Sequence, residues 1–328
     1  MPPPAQKWSL KSSVIFRTGE LVWYQHGSSR LGIIAAADAS QSAFEIIPIG
    51  HGSIPQPNVM KAPAEIRPYQ AFSIPRVQTS TLVDKIFDQV PWDNELRTAA
   101  ANPSAYNAMI VDASKMGASK IDFSYSLWSL INHDSKTSTY YGCFLGSERV
   151  EVGDAVRIKA TPKELGAWYD SAIMGLRYIF TSQDYPGLVF FRGPCYRLVT
   201  EEAAGPNAIP DDSLPFALRE ETAFRNQRGT HRWRWVMLKD SAVMQEKLVR
   251  GRYYPTNRLL HILKPEDAQN IMANGVAHEQ VTQLNDRMNA VGTYLGRKKT
   301  RRETLGATVP HAARLALEPY IKEDTEQT

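Results

Sequence analysis

The sequence predicts a mainly β fold with small barrels, and with helices inserted between the strands and at the C-terminal end. Three segments indicate it: YYGCFLGSERVEVGDAVRIK at residues 140–159, GLVFFRGPCYRLV at 187–199 and RGRYYPTNRLLHIL at 250–263. In the first segment, apolar residues recur at even spacing around glycine-containing turns, as in a half-buried hairpin. Those residues are Phe144, Val150, Val152, Val156 and Ile158. Together the segments predict a partly open β-barrel that is used for docking.

The region before these strands combines short strands with two helices. VIFRTGELVWY, LGIIAAA and FEIIPIG are β-rich, and five prolines between residues 55 and 75 then favour an irregular connection. Residues 79–89 predict an amphipathic helix with Leu82, Ile86 and Phe87 on one side. A second helix is expected to begin at Asn102-Pro103, because asparagine caps helices and proline suits the first turn.

After residue 140 the chain is mainly strands, interrupted by an acidic segment at residues 201–215 that we expect to be an exposed, mobile loop. A long helix is predicted from Pro265 to Val291, and a last one over residues 311–321. The long helix carries an apolar stripe that consists of Ala277, Val281, Leu284, Met288 and Val291. We expect the stripe to pack on the barrel.

These elements predict five regions. They are a flexible N-terminus at 1–13, a small β-barrel at 14–76, a helical connector at 77–135, a second β domain at 136–264 that includes the acidic loop, and C-terminal helices with a basic segment at 265–328.

Composition indicates an ordinary globular protein. Its 328 residues are 43% hydrophobic and 22% charged, enough for one large domain or two small ones. No apolar run approaches the roughly 18 residues of a membrane span. Cys143 and Cys195 are too few for a disulfide framework and lie in apolar strands. We therefore expect reduced, buried thiols and a cytosolic or nuclear setting.

The sequence contains none of the usual catalytic signatures. It has no G-x-G-x-x-G, Walker loop, G-x-S-x-G or H-E-x-x-H motif, and its seven histidines are scattered. Neither cysteine belongs to a C-x-x-C pair, which argues against structural zinc. Cys195 is either a nucleophile with a distant histidine or a buried strand residue, and its aromatic neighbours favour the second. We expect no catalytic, cofactor-binding or metal site.

A basic region offers the first binding hypothesis. Residues 225–258 contain nine lysines or arginines against two acids, and HRWRWVMLK alternates arginine with tryptophan. In a strand, Arg232 and Arg234 would face outward together, which suits phosphate, although a charged edge strand explains the pattern equally well. RKKTRR at 297–302 is also compatible with a nuclear-localisation signal. The predicted nucleic-acid-binding residues are Arg225, Arg228, Arg232, Arg234, Arg250 and Arg252.

Two further binding hypotheses involve apolar residues. Trp23, Tyr24 and Phe44 could form an aromatic cage for methylated lysine, although core packing is the commoner role for such rings on apolar strands. The predicted last helix carries Leu315, Leu317 and Ile321, and we expect it to project from the body and bind a partner.

Together with FRTGELVWYQ at 16–25, IRPYQAF at 66–72 and RRETLGATVP at 301–310, the three β segments resemble the C-terminal region of the fungal transcription-silencing family called cryptic loci regulator two. The resemblance implies a bromo-adjacent-homology-like barrel. The family's N-terminal DNA-binding module is not visible here, so we expect a shorter relative or a fragment of one.

The resemblance also implies a function. It is that of a non-catalytic, chromatin-associated adaptor in the nucleus, which joins the subunits of a repressor complex containing a histone deacetylase and a remodeller. Such an adaptor contacts nucleosomes or duplex DNA weakly and without sequence preference, needs no cofactor and does not engage a membrane. The alternative hypotheses are a direct reader of methylated histone tails and, more remotely, a hydrolase with an unrecognised site.

Overall fold

Two β-sheets dominate the structure, a computed structural model of the protein. It describes residues 12, 14–38, 40, 42–54, 56–159, 161–167, 169, 171–228, 231–266, 268, 270, 284–287, 296–317, 321 and 323. The mainly β fold with inserted helices is confirmed.

The smaller sheet is antiparallel and has the order β4-β3-β2-β1-β5. One of its faces packs on a long helix through Leu21 and Ile33, and the other packs on Tyr254 and Leu259 from the second half of the chain. Apolar side chains are therefore needed on both faces, which explains why LVWY is buried at every position. The strands are β1 Leu21–His26, β2 Ser28–Ala37, β3 Phe44–Pro48, β4 Val59–Lys61 and β5 Ile66–Pro68.

Helices α1, Trp92–Ala99, and α2, Pro103–Asp122, follow the small sheet. The predicted helix start is confirmed, because the Asn102 side chain accepts hydrogen bonds from the amides of Ser104 and Ala105. The helix predicted at 79–89 is instead two 3-10 turns. Leu82 and Phe87 enter the same apolar cluster, whereas five residues of α-helix would set them about 140° apart.

The larger sheet has the order β14-β9-β10-β12-β11-β7-β6-β15, with β13 added beside β12 and β8 beside β7. All of its pairs are antiparallel except that between β15 and β6. The first strand, β6, lies within the region predicted as a helical connector. The strands are β6 Ser124–His133, β7 Thr137–Leu145, β8 Glu148–Glu151, β9 Ala155–Ile158, β10 Ile173–Gly175, β11 Tyr178–Ser182, β12 Phe190–Thr200, β13 Trp233–Gln245, β14 Val249–Arg252 and β15 Gly296–Lys298.

The predicted hairpin at residues 140–159 is present as β7, β8 and β9. Val150, Val156 and Ile158 enter the main core as expected. Phe144 does not, because Cys143 and Leu145 take the core-facing positions on β7 and alternate strand residues face opposite ways. Its ring packs with Trp128 on the other side of the sheet.

The acidic segment at 201–215 is not a free loop. It forms helix α4, Glu201–Ala204, after α3 at Pro162–Leu165, and then 3-10 turns. The Ile209 amide donates to the Trp235 carbonyl of β13 at 2.8 Å, and Leu214 is buried. Apolar residues between the acids thus attach the segment to the sheet. Helix α5, Phe216–Arg228, follows it.

The C-terminal region differs most from the prediction. Helix α6 spans Thr256–Leu263 and α7 spans Arg301–Leu305. Residues 284–287 are not helical, and Leu284 is buried against the small sheet, so no unbroken helix runs from Pro265 to Val291. The other stripe positions, Ala277, Val281, Met288 and Val291, lie outside the described residues. Among the described residues, every helix lacks the length and apolar character that crossing a bilayer requires.

The predicted last helix is wrong over residues 311–317, which form a turn and an extended segment. The Ala316 amide donates to the Ala35 carbonyl at 2.8 Å, and Leu315 packs on the core of the small sheet. Leu317 and Ile321 pack against the cluster around Trp128. The segment does not project, because its leucines complete two cores of the same chain.

We therefore predict that Leu317→Ala lowers the free energy of unfolding by about 1–3 kcal/mol, since it deletes part of a packed cluster. The matched control, Arg314→Ala at an exposed neighbouring position, should change it by less than about 0.5 kcal/mol. Urea unfolding measures both. Equal stability of the two variants would show that the segment is not part of the core.

Candidate functional site

A network of buried charges lies where the segment before β1 meets the turn between β8 and β9. Arg17 donates from both ends of its guanidinium to Asp154, at 2.7 and 2.8 Å, and also to the Arg149 carbonyl at 3.1 Å. The two side chains are only 9% and 6% exposed. This bidentate pair fixes two segments that are 137 residues apart in the chain.

Glu20 extends the network in the same segment. Its carboxylate accepts hydrogen bonds from the amides of Arg17 and Arg149, at 2.8 and 3.0 Å. It also pairs with the buried Arg252 guanidinium of β14 at 3.0 Å. One carboxylate therefore connects the entry to the small sheet with two strands of the large sheet.

Glu148 occupies the other side of Arg252. It accepts hydrogen bonds from the Arg252 amide at 2.7 Å and from the Tyr254 hydroxyl at 2.5 Å. Gly251 is required beside it, because its φ is +144° and a Cβ there would lie 2.5 Å from a Glu148 carboxylate oxygen.

Arg301 of α7 completes the junction from the C-terminal side. It is fully buried and donates to the carbonyls of Gly19 and Gly146, at 2.9 and 2.8 Å. Its guanidinium lies 4.9 Å from the centre of the Phe144 ring. Burial lowers the pKa of Arg301 to about 10. Since this residue belongs to RKKTRR, that run is not a fully exposed basic signal.

The pKa shifts reflect a competition between burial and pairing. Burial alone would raise the pKa of Asp154, but the Arg17 guanidinium outweighs it and lowers that pKa. For Glu20 the effect of burial is larger than that of pairing, so burial raises the pKa in spite of the nearby guanidinium groups of Arg252 and Arg17. The network therefore holds segments together at a desolvation cost, which is a structural role.

The predicted basic patch is largely inside the protein. Arg225 is buried, pairs with Glu221 at 2.7 Å and lies over the Trp233 ring. Arg252 belongs to the network, and Arg250 is 3.5 Å from Asp286. The expectation of outward-facing phosphate contacts is thus wrong for Arg225 and Arg252, because their guanidinium groups satisfy internal carboxylates.

The predicted alternation of arginine and tryptophan is only partly present, because Arg232 precedes β13 and Trp233 is half-buried. Trp235 is buried, Arg232 is exposed, and Arg234 is partly exposed beside Glu201 at 2.8 Å. Arg228 is the last residue of α5. Among the side chains that the structure describes, Arg232 is the exposed member of the predicted patch, and Arg234 and Arg250 are partly exposed, each beside a carboxylate.

The predicted aromatic cage does not form. Trp23, Tyr24 and Phe44 are 8%, 2% and 1% exposed. As neighbours on one strand, Trp23 and Tyr24 face opposite sides of the small sheet, and Phe44 shares only the side of Tyr24. Trp23 and Tyr24 both contribute to the wall of one hollow beside the sheet, but Phe44 does not, so the three rings do not surround one ligand. The histone-tail reader hypothesis therefore loses the residues on which it depended.

Cys195 is not placed for catalysis. Both cysteines are buried and free, and burial raises the pKa of Cys195 to about 12, so its thiol is protonated at neutral pH. In the part of the chain that the structure describes, no group of three or more histidine, cysteine or acidic residues could hold a metal.

Two hollows lie along helix α2, on either side of the segment that contains Pro75. The first, of about 190 Å³, is lined by Ile49, Ile110 and Val111. The second, of about 280 Å³, is lined by Val77, Ile86, Phe87, Met116 and Phe123. We call the two hollows together the α2 groove. It is mainly apolar, and sequence patterns did not reveal it because its walls come from five separate stretches of the chain between residues 23 and 123.

Comparison with known proteins finds a similarity within the large sheet. Residues 140–255 match the family model of the transcription-silencing protein Clr2. The expected resemblance is confirmed.

The Clr2 match spans β7 to β14 and contains much of the buried network. Among solved structures, the protein is similar to a chain in the structure of Clr2 bound to the Clr1 C-terminus, with a TM-score of 0.54 and 15% identity. The alignment covers 93% of this chain and 61% of that chain. At this identity the likeness shows the fold. No curated protein matches the sequence.

Sequence reasoning missed the buried charged residues of the matched segment. Alternation indicated a half-buried hairpin at residues 140–159, but all four residues of β8, charged ones included, are buried. One signal in the sequence could have indicated these buried charges. It is the number of charged residues inside an apolar strand pair, together with a second segment, FRTGELVWYQ, that also mixes charged and apolar residues. Charges interspersed in two apolar segments are typical of buried pairs as well as of solvated faces.

The network gives a sharp stability prediction. Arg17→Met should lower the free energy of unfolding by about 3–5 kcal/mol, because Asp154 is left buried without its partner. The double variant Arg17→Met with Asp154→Leu should regain part of the loss, since no unpaired charge remains. Denaturant unfolding of the full chain measures both.

The matched control is Arg177→Met. Arg177 pairs with Asp240 at 3.8 Å, and the side chains are 56% and 75% exposed, so the change should stay within about 1 kcal/mol. Similar losses for Arg17→Met and Arg177→Met would contradict a stabilising role of the buried network.

Proposed function

We propose that the protein is a non-catalytic adaptor in transcriptional silencing, and that it holds together the subunits of a nuclear repressor complex containing a histone deacetylase and a nucleosome remodeller. The observation that carries this proposal is the match of residues 140–255 to the transcription-silencing protein Clr2. The similar solved chain is Clr2 bound to the Clr1 C-terminus, which supports a corresponding partner subunit here.

The structure supports an adaptor in two ways. Buried charged side chains of the matched segment, Asp154 and Arg252, are engaged in ion pairs with Arg17 and Glu20 from the segment before β1. The open hollows are instead mainly apolar, which suits the docking of protein segments. An adaptor needs surfaces of this kind and needs no reactive group.

The chromatin contact that we propose is electrostatic and weak. It uses Arg232 and Arg234, together with Arg228 at the end of α5, and leaves Arg225 and Arg252 in their internal pairs. Two or three cations can neutralise only a few phosphates, so binding should be modest and should fall with salt. Recruitment would then depend mainly on the protein partners.

Affinity purification of the tagged full chain from nuclei, followed by mass spectrometry, tests the complex. We expect histone deacetylase and remodeller subunits to co-purify with the chain and to be absent from an untagged control. A chain that returns alone, or with unrelated proteins, would contradict the adaptor function.

Gel-shift titration with duplex DNA tests the chromatin contact. Replacing both Arg232 and Arg234 with alanine should weaken binding and reduce the slope of log affinity against log salt by roughly two, since about one unit is lost per phosphate contact. Arg97→Ala, at an exposed arginine of α1, is the matched control and should bind as the wild type does. If the double variant binds like Arg97→Ala, these arginines do not contact DNA.

A further inference from the structure

The α2 groove follows one stripe of a single helix. Val111, Lys115, Ser119 and Phe123 succeed one another at intervals of four residues, and each lines one or both hollows. At 1.5 Å per residue the stripe is about 18 Å long. An extended chain of five or six residues has the same length, at about 3.3 Å per residue.

Hydrogen bonds within the chain hold the walls of the groove in place before a ligand binds. Lys115 lines both hollows and donates to the Arg76 carbonyl at 3.1 Å and to Asp112 at 2.8 Å. The other oxygen of Asp112 accepts hydrogen bonds from the amides of Gln78 and Thr79, at 3.0 and 2.7 Å. These bonds attach the segment after Pro75 to the helix. Ligand binding therefore does not carry the entropy cost of ordering that wall of the groove.

The groove offers apolar contacts inside and cationic groups at its edges. Ile86 and Val111 line it and are 37% and 51% exposed, and they adjoin the buried apolar walls of the two hollows, so the groove presents apolar surface that a partner can cover. Arg30 and Arg76 are exposed at the rim, and neither guanidinium has an acidic partner within the described part of the chain.

The cations within the groove are already balanced. Lys120 pairs with Asp88 at 2.6 Å, Lys115 with Asp112 at 2.8 Å, and Lys85 lies 3.7 Å from Glu95. Among the described residues, Asp88 is the only acid that lines either hollow. The unbalanced charge is therefore positive and belongs to the rim. A ligand that fits has aliphatic side chains in its centre and carboxylates at its ends.

We propose that the α2 groove binds an extended segment of a partner protein, in which aliphatic residues are flanked by aspartate or glutamate. The aliphatic side chains cover Ile86 and Val111, and the carboxylates pair with Arg30 and Arg76. Duplex DNA fits less well, because the two hollows offer apolar walls rather than a continuous row of donors for phosphates. This inference rests on the proposed adaptor function and names the chemistry of one partner.

Selection of heptapeptides from a randomised display library on the full chain tests this proposal. We expect the enriched peptides to combine aliphatic with acidic residues. A fluorescein-labelled enriched peptide should bind Val111→Glu and Arg76→Glu at least about ten-fold more weakly than the wild type, because both changes bring like charges together. Val83→Glu, at a 57% exposed position that does not line the groove, is the matched control and should bind normally.

Three results would overturn the proposal. They are enrichment of peptides without acidic residues, equal binding by Val111→Glu and Val83→Glu, and loss of DNA binding in Arg76→Glu with no peptide enriched. Circular dichroism confirms that each variant is folded. Purification of the tagged Val111→Glu variant from nuclei separates this inference from the adaptor function. If the variant still co-purifies with every silencing subunit and still binds the selected peptide, the groove assignment fails and the adaptor function stands.

Discussion

The pair between Arg17 and Asp154 is the interaction on which the arrangement of the two sheets depends. It joins the segment that enters the small sheet to a turn of the large sheet, and it is almost fully removed from water. Two charges in such a position are stable only with close geometry and further hydrogen bonds. The Arg149 carbonyl and the Glu151 amide supply those bonds.

Such a junction specifies position more than it adds stability. Replacing a buried ion pair with apolar residues is often neutral, whereas removing one partner is costly, so ionic pairs tolerate few alternative alignments. Glu20, Glu148 and Arg301 each accept or donate hydrogen bonds across the same junction. For a protein that we propose to be an adaptor, fixed geometry between the sheets is useful, because partners that dock on one sheet are then held at a defined distance from the other.

The α2 groove is also held in place by a buried ion pair. The buried Lys115–Asp112 pair attaches the segment after Pro75 to the helix, and thereby creates two hollows instead of a closed wall. Ile86 and Val111 remain exposed in those hollows, whereas Ile49, Phe87 and Met116 beneath them are buried. The surface that we assign to a partner is thus a consequence of how the connection between the sheet and the helix is held.

The sequence by itself determined the local elements. Even spacing of apolar residues predicted the hairpin around Val150 and Val156, Asn102-Pro103 predicted the start of α2, and the apolar neighbours of Cys195 predicted a buried thiol. Each of these depends on residues close together in the chain, where strand alternation and capping act.

Only the tertiary structure decided which charges are buried and which apolar residues are covered. Arg252 and Arg232 have the same intrinsic chemistry. Arg252 is buried because it pairs with Glu20, a carboxylate 232 residues away in the chain, whereas Arg232 stays exposed. Trp23 and Tyr24 are adjacent, yet opposite faces of one strand send them into different cores. Leu317 was predicted to bind a partner, but in the structure it packs against the cluster around Trp128. Partners so distant in sequence leave no periodic signal, because their contacts are set by packing of whole elements.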